Sequence, residues 1–129
     1  GMGSRKRKDV FCNQIGRDAM LIRKYISEWP WGMSVTLIYG DGCGMIEFTK
    51  RKDASYAYIS NLKVHPSVQK QGRGTELIQM AEKEISAMGL KIALLQVIPG
   101  SWTEEWYRRL GYSSFQNADD GFVELIKML

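Results

Sequence analysis

Apolar residues recur along the chain with two periods, and each switch between them marks a new element. Ile15, Ala19, Ile22, Ile26 and Trp29 fall at helical spacing before Pro30, which predicts an amphipathic helix from about Asn13 to Glu28. Val35, Leu37 and Tyr39 then alternate, Asp41-Gly42 reads as a turn, and Ile46 and Phe48 resume the alternation of a β-hairpin. A charged turn at residues 50–53 leads into a long strand from Ser55 to Val64. Tyr56, Tyr58, Ser60, Leu62 and Val64 are expected on one face of it, and His65-Pro66 ends it.

The second half opens with a helix from Thr75 to Met88, whose apolar face is Leu77, Ile78, Ala81 and Ile85 and whose exit is Gly89. Lys91 to Ile98 is a nearly unbroken apolar strand, the pattern of a strand covered by helices on both faces. Ser101 with Glu104 makes a capping-box signature for a third helix ending at Gly111. Strands at Tyr112 to Phe115 and Phe122 to Leu129 flank an Asp120-Gly121 turn. The predicted order, α-β-β-β-α-β-α-β-β, is that of an α/β chain with a mixed sheet.

At 129 residues the chain is expected to form one domain, residues 1–129, with a core that needs no staple. Residues 1–9 stand apart. Gly1 ahead of Met2 reads as the remnant of an expression tag, and Arg5, Lys6, Arg7 and Lys8 as a flexible basic arm. That arm accounts for the net charge of +4, leaving fourteen basic residues against fourteen acidic ones. The body is therefore neutral, and a nucleic-acid partner is not expected of it. No apolar run is long enough to span a bilayer, so no membrane partner is expected either. Two cysteines, Cys12 and Cys43, and one histidine, His65, provide neither a disulfide framework nor a metal site, and a cytoplasmic location is the default.

Chemistry concentrates between residues 62 and 75, where a strand runs into a helix N-terminus. Backbone N–H groups there lack intrahelical partners and the helix dipole adds about half a positive charge, so a phosphate can dock. Gly72 and Gly74 lack the Cβ atoms that would hold a pyrophosphate off the backbone. Spacing excludes the P-loop, and Leu77 stands where the dinucleotide fingerprint needs its third glycine.

What does occur is Gln-x-x-Gly-x-Gly, as Gln69-Lys70-Gln71-Gly72-Arg73-Gly74. It resembles the pyrophosphate motif of the GNAT superfamily of acyl-CoA-dependent N-acetyltransferases. Leu62-Lys63-Val64 followed by Pro66 resembles that family's strand end, and the run from Trp106 through Tyr107, Arg108, Arg109, Leu110 and Gly111 to Tyr112 resembles its second signature. The resemblance implies a mixed, mostly antiparallel sheet with a splayed parallel pair and helices on both faces. It implies acetyl-CoA as cosubstrate, with Leu62 and Val64 bonding the pantetheine and the backbone of Lys70, Gln71, Gly72, Arg73, Gly74 and Thr75 holding the pyrophosphate. Gln69 would order the loop, while Lys70 and Arg73 would add charge near the phosphates or simply be solvated. It implies direct attack of a primary amine on the thioester, Tyr107 protonating the leaving thiolate.

Some positions depart from the family pattern. Gly100 and Ser101 stand where many members carry an asparagine, and Tyr58 stands where histone-modifying members carry a glutamate. Glu47, Glu104 and Glu105 are the carboxylates left as candidate bases acting through a water, each also readable as a surface or capping residue, and His65 reads as structural or exposed. Against the family pattern the N-terminal region is expected to be short, with Asp9 to Cys12 leaving room for a very short first strand at most. The acceptor groove should then be shallow and open, or completed by a second subunit in a homodimer, with Trp29, Trp31 and Trp102 as candidate walls. Two other readings compete with the enzyme: a non-catalytic acyl-CoA-binding domain, for which Tyr107 has no use, and RNA-directed acetylation guided by the basic arm, which would weaken steeply with salt.

Overall fold

The computed structural model describes residues 20–129. Among them, strands β1 (Ile22–Trp29), β2 (Gly32–Tyr39), β3 (Gly44–Arg51) and β4 (Ala57–Val64) precede helix α1 (Arg73–Ala87). Strand β5 (Ile92–Val97), helix α2 (Trp102–Arg109) and strands β6 (Ser113–Asn117) and β7 (Val123–Met128) follow. The strands form one sheet in the order β1-β2-β3-β4-β5-β7-β6, antiparallel except for the β4–β5 pair. This is the mixed, mostly antiparallel sheet that the sequence implied.

The predicted first helix is not what the described residues adopt. Residues 22–29 form β1, paired with β2 in unbroken register from Ile22 opposite Tyr39 to Trp29 opposite Gly32. Helical spacing over this stretch rests on Ile22, Ile26 and Trp29 alone. The same segment is rich in β-branched and aromatic residues, and the short Pro30-Trp31 turn folds it back on β2, where the backbone is paired throughout. Residues 13–19 of the expected helix, the short first strand and the basic arm lie outside the described residues.

The crossovers β4-α1-β5 and β5-α2-β6 run in the same direction across the sheet, and the right-handed rule then places both helices on one face. Side-chain contacts agree. Glu82 of α1 accepts hydrogen bonds from Lys127 Nζ at 3.0 Å and from Tyr112 Oη at 2.8 Å. Leu77, Ile78, Ala81 and Ile85, the predicted apolar face of α1, are all fully buried against Ile46, Phe48, Ala57 and Leu125. On β5, Ala93, Leu95 and Val97 face this core, while Gln96 is exposed on the opposite side.

A bulge corrects the expected face of β4. Between the pairs Met45–Lys63 and Glu47–Ser60 two residues of β4 stand opposite one of β3, and Asn61 takes a left-handed φ of 54°. The extra residue shifts the alternation. Ala57 and Ile59 face the helices before the bulge and Leu62 and Val64 after it, whereas Tyr58 and Ser60 turn to the other side.

Arg73, the first residue of α1, is 6% exposed and forms a two-armed ion pair with Asp41 in the β2–β3 turn, 2.9 Å from Nη1 to Oδ1 and 2.8 Å from Nη2 to Oδ2. Its guanidinium also lies 4.5 Å from the Tyr39 ring centre. Asp41 Oδ1 accepts a further bond from the Cys43 N–H. Cys43 is buried and is not a free thiol, a departure from the disulfide-free reading of the cysteine count. Burial acts to raise the pKa of Asp41, but the hydrogen bonds from Arg73 and Cys43 outweigh it and hold the carboxyl below its usual range.

Removing one member of a buried pair strands the other. Asp41→Ala should therefore lower the unfolding free energy by about 3–5 kcal/mol, measured in urea, and the double change Asp41→Leu with Arg73→Met should cost clearly less. Because the folded pKa of Asp41 is depressed, its contribution is present above the ordinary aspartate pKa and disappears as pH falls through the folded value. The stability gap between wild type and Asp41→Asn should shrink accordingly on acidification.

Candidate functional site

The parallel ladder between β4 and β5 holds only from Ala57 opposite Ala93 to Tyr58 opposite Leu94. Beyond Tyr58 the two strands part, and the rest of β4 carries its edge away from β5. Leu62 and Val64 on this diverging segment line a cavity of about 650 Å³ that reaches from the α1 N-terminus to α2. The bulge at Asn61 is what aims them there.

The segment linking β4 to α1 is built to expose backbone. Gln69 donates from Nε2 to Val64 O at 2.9 Å, tying the loop back to the strand end. His65 accepts from Ser67 N–H at 3.1 Å through Nδ1 and caps the short 3₁₀ turn at Pro66–Val68, the structural role expected of it. Lys70 and Gly72 both take left-handed torsions, φ 64° and 82°. Gly72 is the N-cap of α1 without a side-chain cap, and the first intrahelical bond runs from Glu76 N–H to Gly72 O at 3.0 Å. The N–H groups of Arg73, Gly74 and Thr75 therefore precede the helix's own hydrogen bonding and point out along its axis, an arrangement that can accept an anion.

Gln69, Lys70, Gly72, Arg73, Gly74 and Thr75 all border the cavity, whereas Gln71 is exposed beside it. The two glycines differ. A Cβ on Gly72 would meet open space, so what it contributes is its torsion. A Cβ on Gly74 would lie 3.4 Å from the Trp106 ring, in ordinary contact, so the site has room for a methyl group but not for a branched side chain. The guanidinium of Arg73 is buried and committed to Asp41, which corrects both alternatives expected of it, charge near a phosphate and solvation.

Helix α2 supplies the opposite wall. Ser101 Oγ caps it by accepting from Glu104 N–H at 3.1 Å, and Glu104 returns a bond to Gly100 N–H at 2.7 Å rather than to Ser101 itself. Trp102, Trp106 and Tyr107 form an aromatic ladder from cavity rim to core, with stacking at 6.3 Å and an edge-to-face step at 4.9 Å, and Tyr112 continues it at 5.5 Å. Tyr107 is 6% exposed and borders the cavity. Burial pushes its hydroxyl up to about 12, so the phenol keeps its proton throughout the working pH range.

Trp102 is the one candidate groove wall that reaches the cavity; Trp29 and Trp31 stack on each other at the far end of the sheet. Thr103 and Trp106 also line it, which no local signal singled out for Thr103 and which the aromatic position of the second signature marks for Trp106. Of the candidate bases, Glu104 is engaged by Gly100 and Arg108, which hold its pKa low, and Glu47 accepts from Asn61 at 2.8 Å. Glu105 is exposed beside Arg109. Among the described residues there is no cluster of metal ligands, and no helix is long and apolar enough to cross a membrane.

A family model described as an acetyltransferase (GNAT) domain matches residues 32–114, from the start of β2 into β6. The chain belongs to the GNAT acetyltransferase family. Solved GNAT structures share its fold. A GNAT family acetyltransferase from Elizabethkingia anophelis with acetyl-CoA bound aligns at TM-score 0.67 and 14% identity over 88% of this chain and 100% of that one. An acetyltransferase from Bacillus subtilis in complex with CoA aligns at 0.64 and 17% over 84% and 99%. The ribosomal-protein-S18-alanine N-acetyltransferase of Escherichia coli aligns at 0.57 and 18% over 78% and 71%. Comparison with curated protein sequences gives no match. GNAT enzymes use acetyl-CoA as cosubstrate.

The close contact at Gly74 gives a direct check on this geometry. Gly74→Val drives branched carbons into the Trp106 ring and should lower stability by about 1–3 kcal/mol by overpacking, read as a fall in melting temperature. The double change with Trp106→Leu should recover part of the loss.

Proposed function

We propose that this GNAT protein is an N-acetyltransferase that transfers the acetyl group of acetyl-CoA to a primary amine on a peptide, protein or small molecule. The observation that carries the reading is one continuous cavity with anion-seeking N–H groups of α1 at one end, a free strand edge along its length and the Tyr107 phenol at its inner wall. A molecule with a pyrophosphate, an amide-bearing arm and a terminal thioester matches those features in order. Backbone groups of residues 70–75 would hold the pyrophosphate, those of Leu62 and Val64 the pantetheine amides, and Gln69 would keep the loop in place.

In the reaction the amine nitrogen bonds to the thioester carbon, the carbonyl oxygen carries the transient negative charge, and the carbon–sulfur bond then breaks. Tyr107 gives its proton to the departing thiolate, while the surplus proton of the amine passes to water and the phenolate is reprotonated from solvent. A phenol held protonated by burial is a competent acid for this step. A protein acceptor is compatible with the fold, since a ribosomal-protein-S18-alanine N-acetyltransferase shares it.

Two measurements test the reading. Saturating CoA should raise the melting temperature, since a ligand that binds only the native state at about a hundredfold its dissociation constant adds roughly 2.7 kcal/mol. Gly72→Val should erase that shift, and unchanged melting of the wild type at saturating CoA would remove the cofactor assignment. Tyr107→Phe keeps the ring ladder and should lower turnover about ten- to a thousandfold with little change in acetyl-CoA affinity, because the lost interaction belongs to the transition state. Normal turnover in that variant would take Tyr107 out of the mechanism, and binding without any turnover across an amine panel would favour an acyl-CoA-binding domain.

A further inference from the structure

The two edges of the sheet are managed differently. β6 is five residues long and its pairing with β7 is broken by a register shift between Ser114 and Gln116, both of which blunt an edge against joining another strand. β1 is eight residues long, unbroken in register, and has no strand on its outer side among the described residues. Seven of its eight residues are exposed, and they include Tyr25 at 56%, Ile26 at 52% and Trp29 at 42%. A long, regular, apolar edge of this kind is a template for another strand.

Its backbone and side chains specify what fits. The bond from Gly40 N–H to Leu21 O extends the β1–β2 ladder and shows that odd-numbered residues turn their backbone groups inward to β2. The N–H and C=O groups of Ile22, Lys24, Ile26 and Glu28 consequently point outward. Antiparallel partners directly opposite must share a sheet face, so a two-fold axis perpendicular to the sheet can pass through Ile26. That register sets Lys24 against the partner's Glu28 and Glu28 against the partner's Lys24, with the two Ile26 side chains meeting on the axis. On the other face it sets Arg23 against the partner's Trp29, a cation over an indole. Lys24 also bonds Glu84 of α1 at 3.0 Å, so in this register its ammonium bridges Glu84 and the partner's Glu28.

We infer that β1 is a homodimer interface at which two copies pair edge to edge, joining their sheets into one continuous sheet. The occupant of the edge is a second copy of this chain because the sequence of β1 is complementary to itself in the one register its outward backbone groups allow through Ile26. The interface lies at the β1 edge of the sheet, three strands from the cavity wall on β4, so it is independent of the proposed chemistry.

Sedimentation velocity of the full chain over the micromolar range should show a species of twice the chain mass. Lys24→Glu and Glu28→Lys each set like charges opposite one another twice, and each should weaken dimerisation at least about tenfold. Mixed in equal amounts, the two variants restore both opposite-charge pairs in a heterodimer, so the mixture should regain the heavier species at concentrations where neither variant forms it alone. This recovery also separates lost pairing from lost folding. A wild type that stays monomeric, variants that dimerise as well as wild type, or a mixture no heavier than its components would each overturn the inference.

Discussion

The ion pair between Arg73 and Asp41 fixes the point from which the site is organised. The buried apolar face of α1 holds the helix on the sheet, and an ion pair at its first residue fixes that end more sharply. Here the first residue of α1 is locked into the β2–β3 turn, with the Tyr39 ring beneath the guanidinium and the Tyr39 hydroxyl bonded to Glu76 one turn further on. Two buried opposite charges far apart in sequence are expensive to misplace, so the helix N-terminus has one position relative to the end of β4. Its free N–H groups inherit that position.

The bulge in β4 does the complementary work on the strand. Without the extra residue at Asn61 the alternation would carry Tyr58 and Ser60 into phase with Leu62 and Val64, and no strand could bury Ile59 and also present Val64 to the cavity. The departure of β4 from β5 beyond Tyr58 then leaves that edge of β4 without a neighbouring strand, with Gln69 Nε2 bonding Val64 O at its end. Local irregularity is concentrated where a ligand would replace the missing partners, as is common for bulges near functional sites.

Much of this was legible in the sequence, and the failures have physical causes. The apolar face of α1 was read in full because four residues at helical spacing leave one interpretation. The Asp41-Gly42 turn and the glycine loop were read because their torsions restrict residue choice. β1 was misread because Ile22, Ile26 and Trp29 satisfy a helical period that only pairing with β2 overrides. The bulge was invisible, since Asn61 is a polar residue on a strand and nothing nearby signals a doubled position. The commitment of Arg73 to Asp41 was equally hidden, because a cation beside two glycines looks the same in sequence whether it points at a ligand or into the core.

The four tryptophans fall into two stacked pairs at opposite ends of the strands, Trp29 with Trp31 at the β1–β2 turn and Trp102 with Trp106 along the cavity. The molecule therefore carries two spatially separate intrinsic fluorophores, each a stacked indole dimer with its own solvent environment. Emission from the second pair would respond to a ligand in the cavity, and emission from the first to a partner on the sheet edge. Replacing either pair with phenylalanine would leave an optical reporter for the other event without attaching any label.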